Sequence, residues 1–332
     1  MPGCRYRRQP AGASPCRRRT EIFVEAKPSR RISAADPVIR EHRIPAVGSG
    51  PYICVEGPDR ALWFCESGAA KIGRLDPSSG RFTEYDLPTA NAMPIGITVG
   101  PDGNLWFAEK AASQIGRITL NGAITEFPLP TLNAGPDGMI LGPDGNVWFS
   151  ETEVSQIGRI TPEGKITEFR AGITPGSKPL SIAVRDGALW FSEAAGNRVG
   201  RITVDGVVTE FAIPSHDSQP RAMVTHPDGS IWFVETSTNA LGRIDRNGAI
   251  REFVIPTPNA SLRGVTVGRD GDLWFTENFA NKIGRMAPDG TLIGEYDIPT
   301  PKSGARCIAP LSDGRLMFTQ YDAGLIGEVI PG

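Results

Sequence analysis

Tryptophan recurs at an almost constant interval along this chain. Successive tryptophans are 42 or 43 residues apart, and 43 residues after the last of them the same place holds Met317. These marks are Trp63, Trp106, Trp148, Trp190, Trp232 and Trp274. Each stands in a W-F-x-E phrase, followed by I-G-R or a close variant and then by E-F or E-Y. A fixed period of this length indicates a repeat architecture with seven copies of one small unit.

The content of one unit predicts which architecture the repeats form. Residues 94–130 hold four short β-prone runs, separated by Pro-Asp-Gly, by a polar stretch and by Asn-Gly. Such glycine corners supply the positive φ that tight hairpins need, and no window shows helical periodicity. Each unit is therefore predicted to be a four-stranded antiparallel meander. A ring of seven such sheets is an all-β, seven-bladed β-propeller.

The two ends of the chain predict how the ring closes. The seventh copy has three predicted strands, around residues 308–311, 314–320 and 325–330, and the chain then stops. Residues 38–45, V-I-R-E-H-R-I-P, read like residues 249–256, A-I-R-E-F-V-I-P, with His42 in the aromatic position. We therefore expect this N-terminal strand to become the outermost strand of blade seven, which covers otherwise unpaired backbone groups.

Charge divides the chain into a predicted leader, residues 1–37, and a predicted propeller, residues 38–332. The leader holds nine basic and three acidic residues, whereas the rest holds 26 basic and 34 acidic residues. An Arg-, Pro- and Ser-rich leader is expected to be disordered, and an acidic propeller disfavours nucleic-acid binding. No signal peptide or membrane span is predicted, so a cytoplasmic protein without a membrane partner is expected. A closed ring with covered edges is expected to be a monomer.

The five cysteines are an odd number, which does not indicate a disulfide framework. Cys54 and Cys65 lie on the first two predicted strands of blade one and could face each other. Free buried thiols are the alternative that we favour.

The repeated charged residues have two interpretations. One glutamate follows each tryptophan, and one arginine stands in each I-G-R phrase of the first six units; the sets are Glu66, Glu109, Glu151, Glu193, Glu235 and Glu277, and Arg74, Arg117, Arg159, Arg201, Arg243 and Arg285. The glutamates alone could form a carboxylate ring for a cation. Both sets are lost together in blade seven, as Gln320 and Glu328, so we predict a lattice of Glu–Arg ion pairs instead.

Candidate binding residues are those that differ between copies where the innermost strand enters the channel mouth. In the P-x-G-I phrase, x reads Tyr52, Ile95, Asp137, Leu180, Arg221, Arg263 and Cys307 around the ring. Ligands usually bind at such concave sites, so Tyr52, Asp137, Arg221, Arg263 and the neighbouring Arg306 are predicted to bind a small molecule. Tolerated loop variation is the alternative explanation.

The sequence of the repeats resembles that of the virginiamycin B lyase (streptogramin lyase) family from about Val38 to the C-terminus. The phrases that carry the resemblance are G-P-D-G-N-L-W-F-A-E, N-K-I-G-R and E-F-P-L-P-T. The resemblance implies a seven-bladed propeller that opens cyclic type B streptogramin antibiotics at their ester bond by elimination, and thereby antibiotic resistance. It also implies a bound Mg²⁺ and a histidine that transfers protons.

The residues that the resemblance expects at the mouth are matched only in part. Its first-blade tyrosine is matched by Gly50-Pro51-Tyr52. The position of the family's sixth-blade histidine holds Arg263, and its Glu-Pro-His phrase in blade seven is replaced by Ala305-Arg306-Cys307. The position of a later family glutamate falls at or beside Tyr321. The carboxylates implied for Mg²⁺ are therefore not matched, and we assign no metal ligand.

The three histidines lie elsewhere in the sequence, since His42 is in the N-terminal strand, His216 in a loop between blades and His226 in a hairpin turn. We expect His226 to have a structural role in its hairpin turn and treat His216, beside Asp217, as a weak alternative site.

Two functional hypotheses remain open. The first is an enzyme of this family in which Cys307 takes the place of the base, Tyr321 is a second candidate catalytic residue, and arginines stabilise the developing enolate without metal. Neighbouring Arg306 and Arg263 would then lower the thiol pKa from about 8.5 toward neutrality. The second is a non-catalytic propeller that binds a ligand or a protein through the same mouth.

Overall fold

A computed structural model describes residues 36–332, which form 28 β-strands arranged in seven four-stranded antiparallel sheets. The predicted all-β, seven-bladed propeller is confirmed. The prediction for the leader falls on residues that lie outside the described part of the chain, apart from Asp36 and Pro37. Within residues 36–332, no helix has the length and apolar character needed to span a membrane.

The strands follow the repeat. Strand β1 (Val38–Arg43) comes first in the chain and belongs to blade seven. Blades one and two consist of β2 (Pro51–Glu56), β3 (Leu62–Glu66), β4 (Lys71–Asp76) and β5 (Arg81–Asp86), then β6 (Pro94–Val99), β7 (Leu105–Glu109), β8 (Gln114–Ile118) and β9 (Ile124–Pro128). Blades three and four consist of β10 (Pro136–Leu141), β11 (Val147–Glu151), β12 (Gln156–Ile160) and β13 (Ile166–Phe169), then β14 (Pro179–Arg185), β15 (Ala188–Glu193), β16 (Arg198–Thr203) and β17 (Val208–Ala212). Blades five and six consist of β18 (Pro220–Thr225), β19 (Ile231–Glu235), β20 (Ala240–Ile244) and β21 (Ile250–Val254), then β22 (Leu262–Val267), β23 (Leu273–Glu277), β24 (Lys282–Met286) and β25 (Leu292–Asp297). Blade seven adds β26 (Ala305–Pro310), β27 (Leu316–Gln320) and β28 (Leu325–Ile330).

The ring closes as predicted, because β1 pairs antiparallel with β28 and becomes the outermost strand of blade seven. Glu41 of β1 accepts hydrogen bonds from the backbone N–H and the hydroxyl of Thr300 in the preceding interblade loop. His42 lies 3.2 Å from Glu328 of β28. Strand β1 is therefore held both by β28 and by the loop that carries Thr300.

The tryptophans and phenylalanines of the repeat pack between blades, as predicted. Trp63 is fully buried and packs with Ile97 and Phe107 of blade two, while Phe64 packs with Met317 of blade seven. Adjacent residues of one strand thus face opposite neighbouring blades, because side chains alternate across a strand. Met317 fills the tryptophan position and is equally buried.

The glycine of the I-G-R phrase is required by close packing. A Cβ atom on Gly158 would stand 2.1 Å from the ring of Phe149 on the adjacent strand, and one on Gly73 would stand 2.1 Å from Phe64. The phenylalanine ring occupies the space that a Cβ atom would need, so a larger residue does not fit at this position without displacing the ring.

The predicted lattice of Glu–Arg ion pairs is wrong. Five of the six repeated arginines instead pair with an aspartate of the hairpin turn after the innermost strand, as in Arg74–Asp59 at 2.7 Å and Arg243–Asp228 at 2.9 Å. The same Asp59 accepts a hydrogen bond from the Trp63 indole at 3.0 Å. Arg74 stands opposite Trp63 on the adjacent strand, and its guanidinium lies over the indole ring. It therefore reaches the aspartate of the turn and not the glutamate. In blade seven the charges are reversed, because Glu328 stands in the arginine position and pairs with Arg315.

The repeated glutamates lie beside a second glutamate, from the E-F or E-Y phrase of the fourth strand. Burial and the neighbouring Glu168 raise the pKa of Glu151 to about 8, and the same combination with Glu126 raises the pKa of Glu109 to about 7. A buried carboxyl next to another carboxyl retains its proton, because two adjacent charges would be unfavourable. These glutamates are therefore structural, and Gln320 is their neutral counterpart in blade seven.

Candidate functional site

A bulge at the start of every innermost strand builds the channel mouth. In all seven blades the register shifts between the first residue of that strand and the fourth, so the x and G residues of the P-x-G-I phrase leave the ladder. Such bulges redirect side chains. The x residues of blades one, three, four, five, six and seven line one cavity of about 250 Å³.

The register corrects the sequence assignment in blade seven. Ala305 pairs with Gln320 and Ile308 with Phe318, which matches Leu262 with Glu277 and Val265 with Phe275 in blade six. The x residue of blade seven is therefore Arg306 and not Cys307. Cys307 takes the position that Gly264 holds in blade six. The error arose because blade seven has neither the proline nor the glycine that marks the phrase elsewhere.

Arginines from three consecutive blades line one side of the cavity: Arg221, Arg263 and Arg306. Within residues 36–332, no carboxylate forms an ion pair with any of them, and the buried Nε atom of each has no hydrogen-bond partner. Burial, together with repulsion from Arg221 and Arg306, lowers the pKa of Arg263 to about 10. Three cations that share one cavity, none of them in an ion pair with a carboxylate of the described residues, favour the binding of an anion.

Two tyrosines hold Arg306 in place. Its guanidinium lies 4.1 Å from the ring centroid of Tyr321 and 4.9 Å from that of Tyr52, within the range of cation–π attraction. The two rings meet edge to face with centroids 5.9 Å apart. The Thr276 hydroxyl donates to the Arg306 carbonyl oxygen at 2.7 Å. Tyr52 lines the cavity directly, whereas Tyr321 contacts it through Arg306.

Asp137 lies on the opposite wall of the cavity and is bound by a lysine. Lys110 donates to its carboxylate at 2.9 Å. Burial raises the pKa of Asp137, although Lys110 and Arg221 oppose that effect. The carboxylate is thus already paired, which limits what it can bind.

Cys307 lines the cavity and touches Cys54, so the cysteine that Cys54 faces is Cys307 and not Cys65. The Cys54 thiol donates to the Cys307 sulfur, with the two Sγ atoms 3.7 Å apart. This hydrogen bond lowers the pKa of Cys307 and, with burial, raises that of Cys54 well above its ordinary value. The hypothesis that Arg306 and Arg263 lower the Cys307 pKa is therefore wrong about the cause. All three described cysteines are free thiols.

The histidines lie away from the cavity lining. His226 is at the other end of β18 from Arg221, where its ring contacts Asp228 of the same turn and the Gly271 carbonyl oxygen of blade six. His42 contacts Glu328, and His216 is exposed in an interblade loop. His226 therefore serves the turn, as predicted.

Comparisons with known proteins agree with the seven-bladed fold. The profile of the virginiamycin B lyase family matches residues 23–183 and again residues 171–332, so it extends over both halves of the ring. The chain belongs to the virginiamycin B lyase family. A streptogramin B lyase structure is similar with a TM-score of 0.85 and 36% identity, over 90% of this chain and 98% of that one.

Two structures of the virginiamycin B lyase from Staphylococcus aureus are similar with TM-scores of 0.84 and 38% identity, over 89% of this chain and 99% of theirs. One of them is a catalytically inactive histidine-to-alanine variant with quinupristin. The virginiamycin B lyase of Streptomyces coelicolor (strain ATCC BAA-471 / A3(2) / M145) is 42% identical over 45 residues, which is 14% of this chain and 15% of that protein.

The residues present at the mouth do not fit the Mg²⁺ that the family implies. Mg²⁺ requires oxygen ligands, above all carboxylates. Here the cavity presents three guanidinium groups, and its one carboxylate, Asp137, is bound by Lys110. Among residues 36–332, no three His, Cys, Asp or Glu side chains come together as a metal site.

Tyr52, Asp137, Arg221, Arg263 and Arg306, which the sequence predicts to bind a ligand, all line one cavity, and their role in binding stays a prediction. The sequence did not indicate two contacts. The Cys54–Cys307 contact joins residues 253 positions apart, so only the closure of the ring reveals it. The Lys110 partner of Asp137 comes from the neighbouring blade, and its signal was the lysine that follows the W-F-A-E phrase of blade two.

Proposed function

We propose that the channel mouth binds a small molecule that carries a carboxylate or phosphate group, recognised by Arg221, Arg263 and Arg306. The observation that carries this proposal is that none of these three guanidiniums forms an ion pair within residues 36–332 and that the buried Nε atom of each has no hydrogen-bond partner. An oxyanion would supply the missing charge and hydrogen-bond acceptors together. Arg263 occupies the sixth-blade position where the family resemblance expects histidine, so the mouth carries a fixed positive charge there instead of imidazole.

The remaining walls of the cavity favour a ligand with an apolar body. Met139, Ile182, Met223 and Val265 lie beside the arginines, and the Tyr52 ring stands next to Arg306. An aromatic carboxylate such as benzoate combines both properties and serves as a probe. Inorganic phosphate probes the anion requirement alone.

Thermal unfolding with benzoate, benzamide and inorganic phosphate tests this proposal. We expect benzoate and phosphate to raise Tm, because a ligand that binds the native state stabilises it, whereas the neutral benzamide has little effect. Arg263→Gln should weaken benzoate binding by about 10- to 100-fold, the value of one charged hydrogen bond of about 1.5–3 kcal/mol.

The matched control is Arg170→Gln, which removes the same charge from an exposed position. It should bind benzoate like the unmodified protein. Equal Tm shifts from benzoate and benzamide, equal shifts in Arg263→Gln and the unmodified protein, or no shift with either anion would each contradict the proposal.

A second candidate function is ring opening of a type B streptogramin by elimination, with the Cys307 thiolate as the base. The observation that favours it is the lowered pKa of Cys307, caused by the hydrogen bond from Cys54, in a cavity with three arginines. The thiolate would take the α-proton, and a guanidinium would stabilise the enolate oxygen. The electrons would then expel the carboxylate of the ester as a double bond forms.

Incubation with quinupristin, with and without Mg²⁺, tests this second function. The linear product must be detected by chromatography, because elimination leaves the mass unchanged. If this function is correct, ring opening occurs equally with and without Mg²⁺ and is lost in Cys307→Ser. Turnover that requires Mg²⁺, or that persists in Cys307→Ser, would exclude this mechanism.

A further inference from the structure

Two cysteines from the two ends of the chain meet at the seam where the ring closes. Cys54 lies on β2 of blade one and Cys307 on β26 of blade seven, with their Sγ atoms 3.7 Å apart. A disulfide bond is about 2.0 Å long, so side-chain rotation has to bring the sulfurs about 1.7 Å closer. The pair is therefore preformed for a bond between the first and last blades.

The two thiols differ in access and in hydrogen bonding. Cys307 is half-buried and lines the cavity, while Cys54 is 4% exposed and stands behind it. The Cys54 thiol donates to the Cys307 sulfur, and the Cys307 thiol donates to the Cys54 backbone carbonyl oxygen at 3.7 Å. The two residues are thus joined by two hydrogen bonds, and Cys307 is the one that faces the cavity.

Cys65 gives an internal comparison. It is fully buried, its sulfur lies 3.5 Å from the Gly96 carbonyl oxygen, and burial raises its pKa well above the ordinary value. Cys65 is not part of the cavity lining. Cys307 thus faces the cavity, Cys54 contacts Cys307 from behind, and Cys65 is enclosed in the core.

We propose that Cys307 is a site of oxidation by hydroperoxides and that Cys54 is the thiol that converts the product into a disulfide between blades seven and one. In the first step the Cys307 thiolate attacks the peroxide oxygen, the O–O bond breaks, and the leaving oxygen takes up a proton to give water or an alcohol. Cys307 is thereby oxidised to a sulfenic acid. In the second step the Cys54 sulfur attacks the sulfenic sulfur, the S–O bond breaks, and the Cys54 proton leaves with the hydroxyl group as water.

The disulfide would have a structural consequence at the seam. Blades one and seven are held together by packing, by hydrogen bonds such as Thr319 to the Tyr52 carbonyl oxygen, and by strand β1, which pairs with β28 of blade seven and leads along the chain into blade one. A covalent link between β2 and β26 would close a loop of roughly 250 residues, and cross-links that close long loops restrict the unfolded chain. Oxidation is therefore expected to raise the Tm, and a thiol reductant to reverse the effect.

Peptide mapping after treatment with hydrogen peroxide tests the proposal. The protein is prepared with Cys4 and Cys16 replaced by serine, so that Cys54, Cys65 and Cys307 are the remaining thiols. We expect a Cys54–Cys307 cross-linked peptide under non-reducing conditions, with the loss of two hydrogen atoms, and a higher Tm that dithiothreitol reverses. In Cys54→Ser, dimedone should label Cys307 as a sulfenic acid, and no cross-link should form.

Cys65→Ser is the matched control and should give the same cross-link and the same Tm shift as the parent protein. A Cys54–Cys65 link, equal oxidation of Cys65 and Cys307, or a protein that keeps all three thiols would overturn the proposal. The mapping of the parent protein decides the matter even if Cys54→Ser fails to fold. No ligand is added, so the result is independent of anion binding at the mouth.

Discussion

The layers between the blades and the ring of residues at the channel mouth follow opposite patterns. Between the blades, the same contacts recur around the ring, as in Trp148 and Phe149 packing to opposite sides of one strand. At the mouth the equivalent position changes from Tyr52 to Asp137 to Arg263. Trp148 and Phe149 are fully buried, whereas Tyr52 and Arg263 at the mouth are in part exposed. The difference indicates that repetition serves packing, and the positions that differ between copies are the ones that we propose to bind a ligand.

The largest expected difference between the interblade layers and the mouth is in the stability of two matched leucine-to-alanine variants. Leu189 is fully buried between blades three and four, and Leu180 lines the cavity at the mouth. We expect Leu189→Ala to lower the free energy of unfolding by about 2–5 kcal/mol, because it leaves a cavity in packed surroundings. Leu180→Ala should cost less than half as much in the same denaturant titration. Equal losses would show that the mouth is as much part of the packing as the interblade layers.

The next effect concerns the buried glutamates of blades one to six. The pKa of Glu151 is raised to about 8 in the fold, from an ordinary value of 4.5. Between these values the native state holds a proton that the unfolded chain releases, so stability is present below pH 4.5 and is lost as pH rises through about 8. Glu151→Gln should therefore gain about 1–3 kcal/mol relative to the unmodified protein at pH 9 and little at pH 5. Urea unfolding at the two pH values measures this difference.

Blade seven offers the reverse experiment, since Gln320 already stands in the glutamate position and Glu41 takes the fourth-strand position. Gln320→Glu should lose stability at pH 9 and keep it at pH 5. A pH-independent change in either variant would mean that these carboxyl groups are not protonated in the fold.

The smallest expected effect is a gain in stability at the mouth. Arg263 is half-buried and repelled by Arg221 and Arg306, and its pKa is lowered to about 10. Arg263→Gln should therefore raise the free energy of unfolding by up to about 1 kcal/mol while it weakens anion binding. Arg170→Gln should change neither quantity in the same denaturant and binding measurements. A loss of stability in Arg263→Gln would show that the arginine is a structural residue.

The sequence predicted the parts of the fold that repetition records. The tryptophan period gives the blades, and residues 38–45 give the closing strand, because each repeat must bury the same surfaces against its neighbours. Partners across blades were harder to predict. The arginine of the I-G-R phrase was assigned to a glutamate, since spacing alone does not show that it lies over the tryptophan and reaches Asp59.

The mouth was predicted to within one residue. Tyr52, Asp137, Arg221 and Arg263 were placed correctly because a proline or a glycine anchors their phrases. In blade seven both anchors are lost, so Arg306 and Cys307 exchanged places. The contact between Cys54 and Cys307 depends on the two ends of the ring meeting, which no local pattern records.

The most direct test of the central claim is anomalous diffraction from a crystal of this protein soaked with 4-bromobenzoate. The account predicts bromine scattering inside the mouth cavity, with the carboxylate facing Arg221, Arg263 and Arg306 and the ring against the apolar wall. The peak should disappear in Arg263→Gln crystals soaked under the same conditions. An empty cavity, or a carboxylate directed away from the three arginines, would contradict the claim that this mouth recognises an oxyanion.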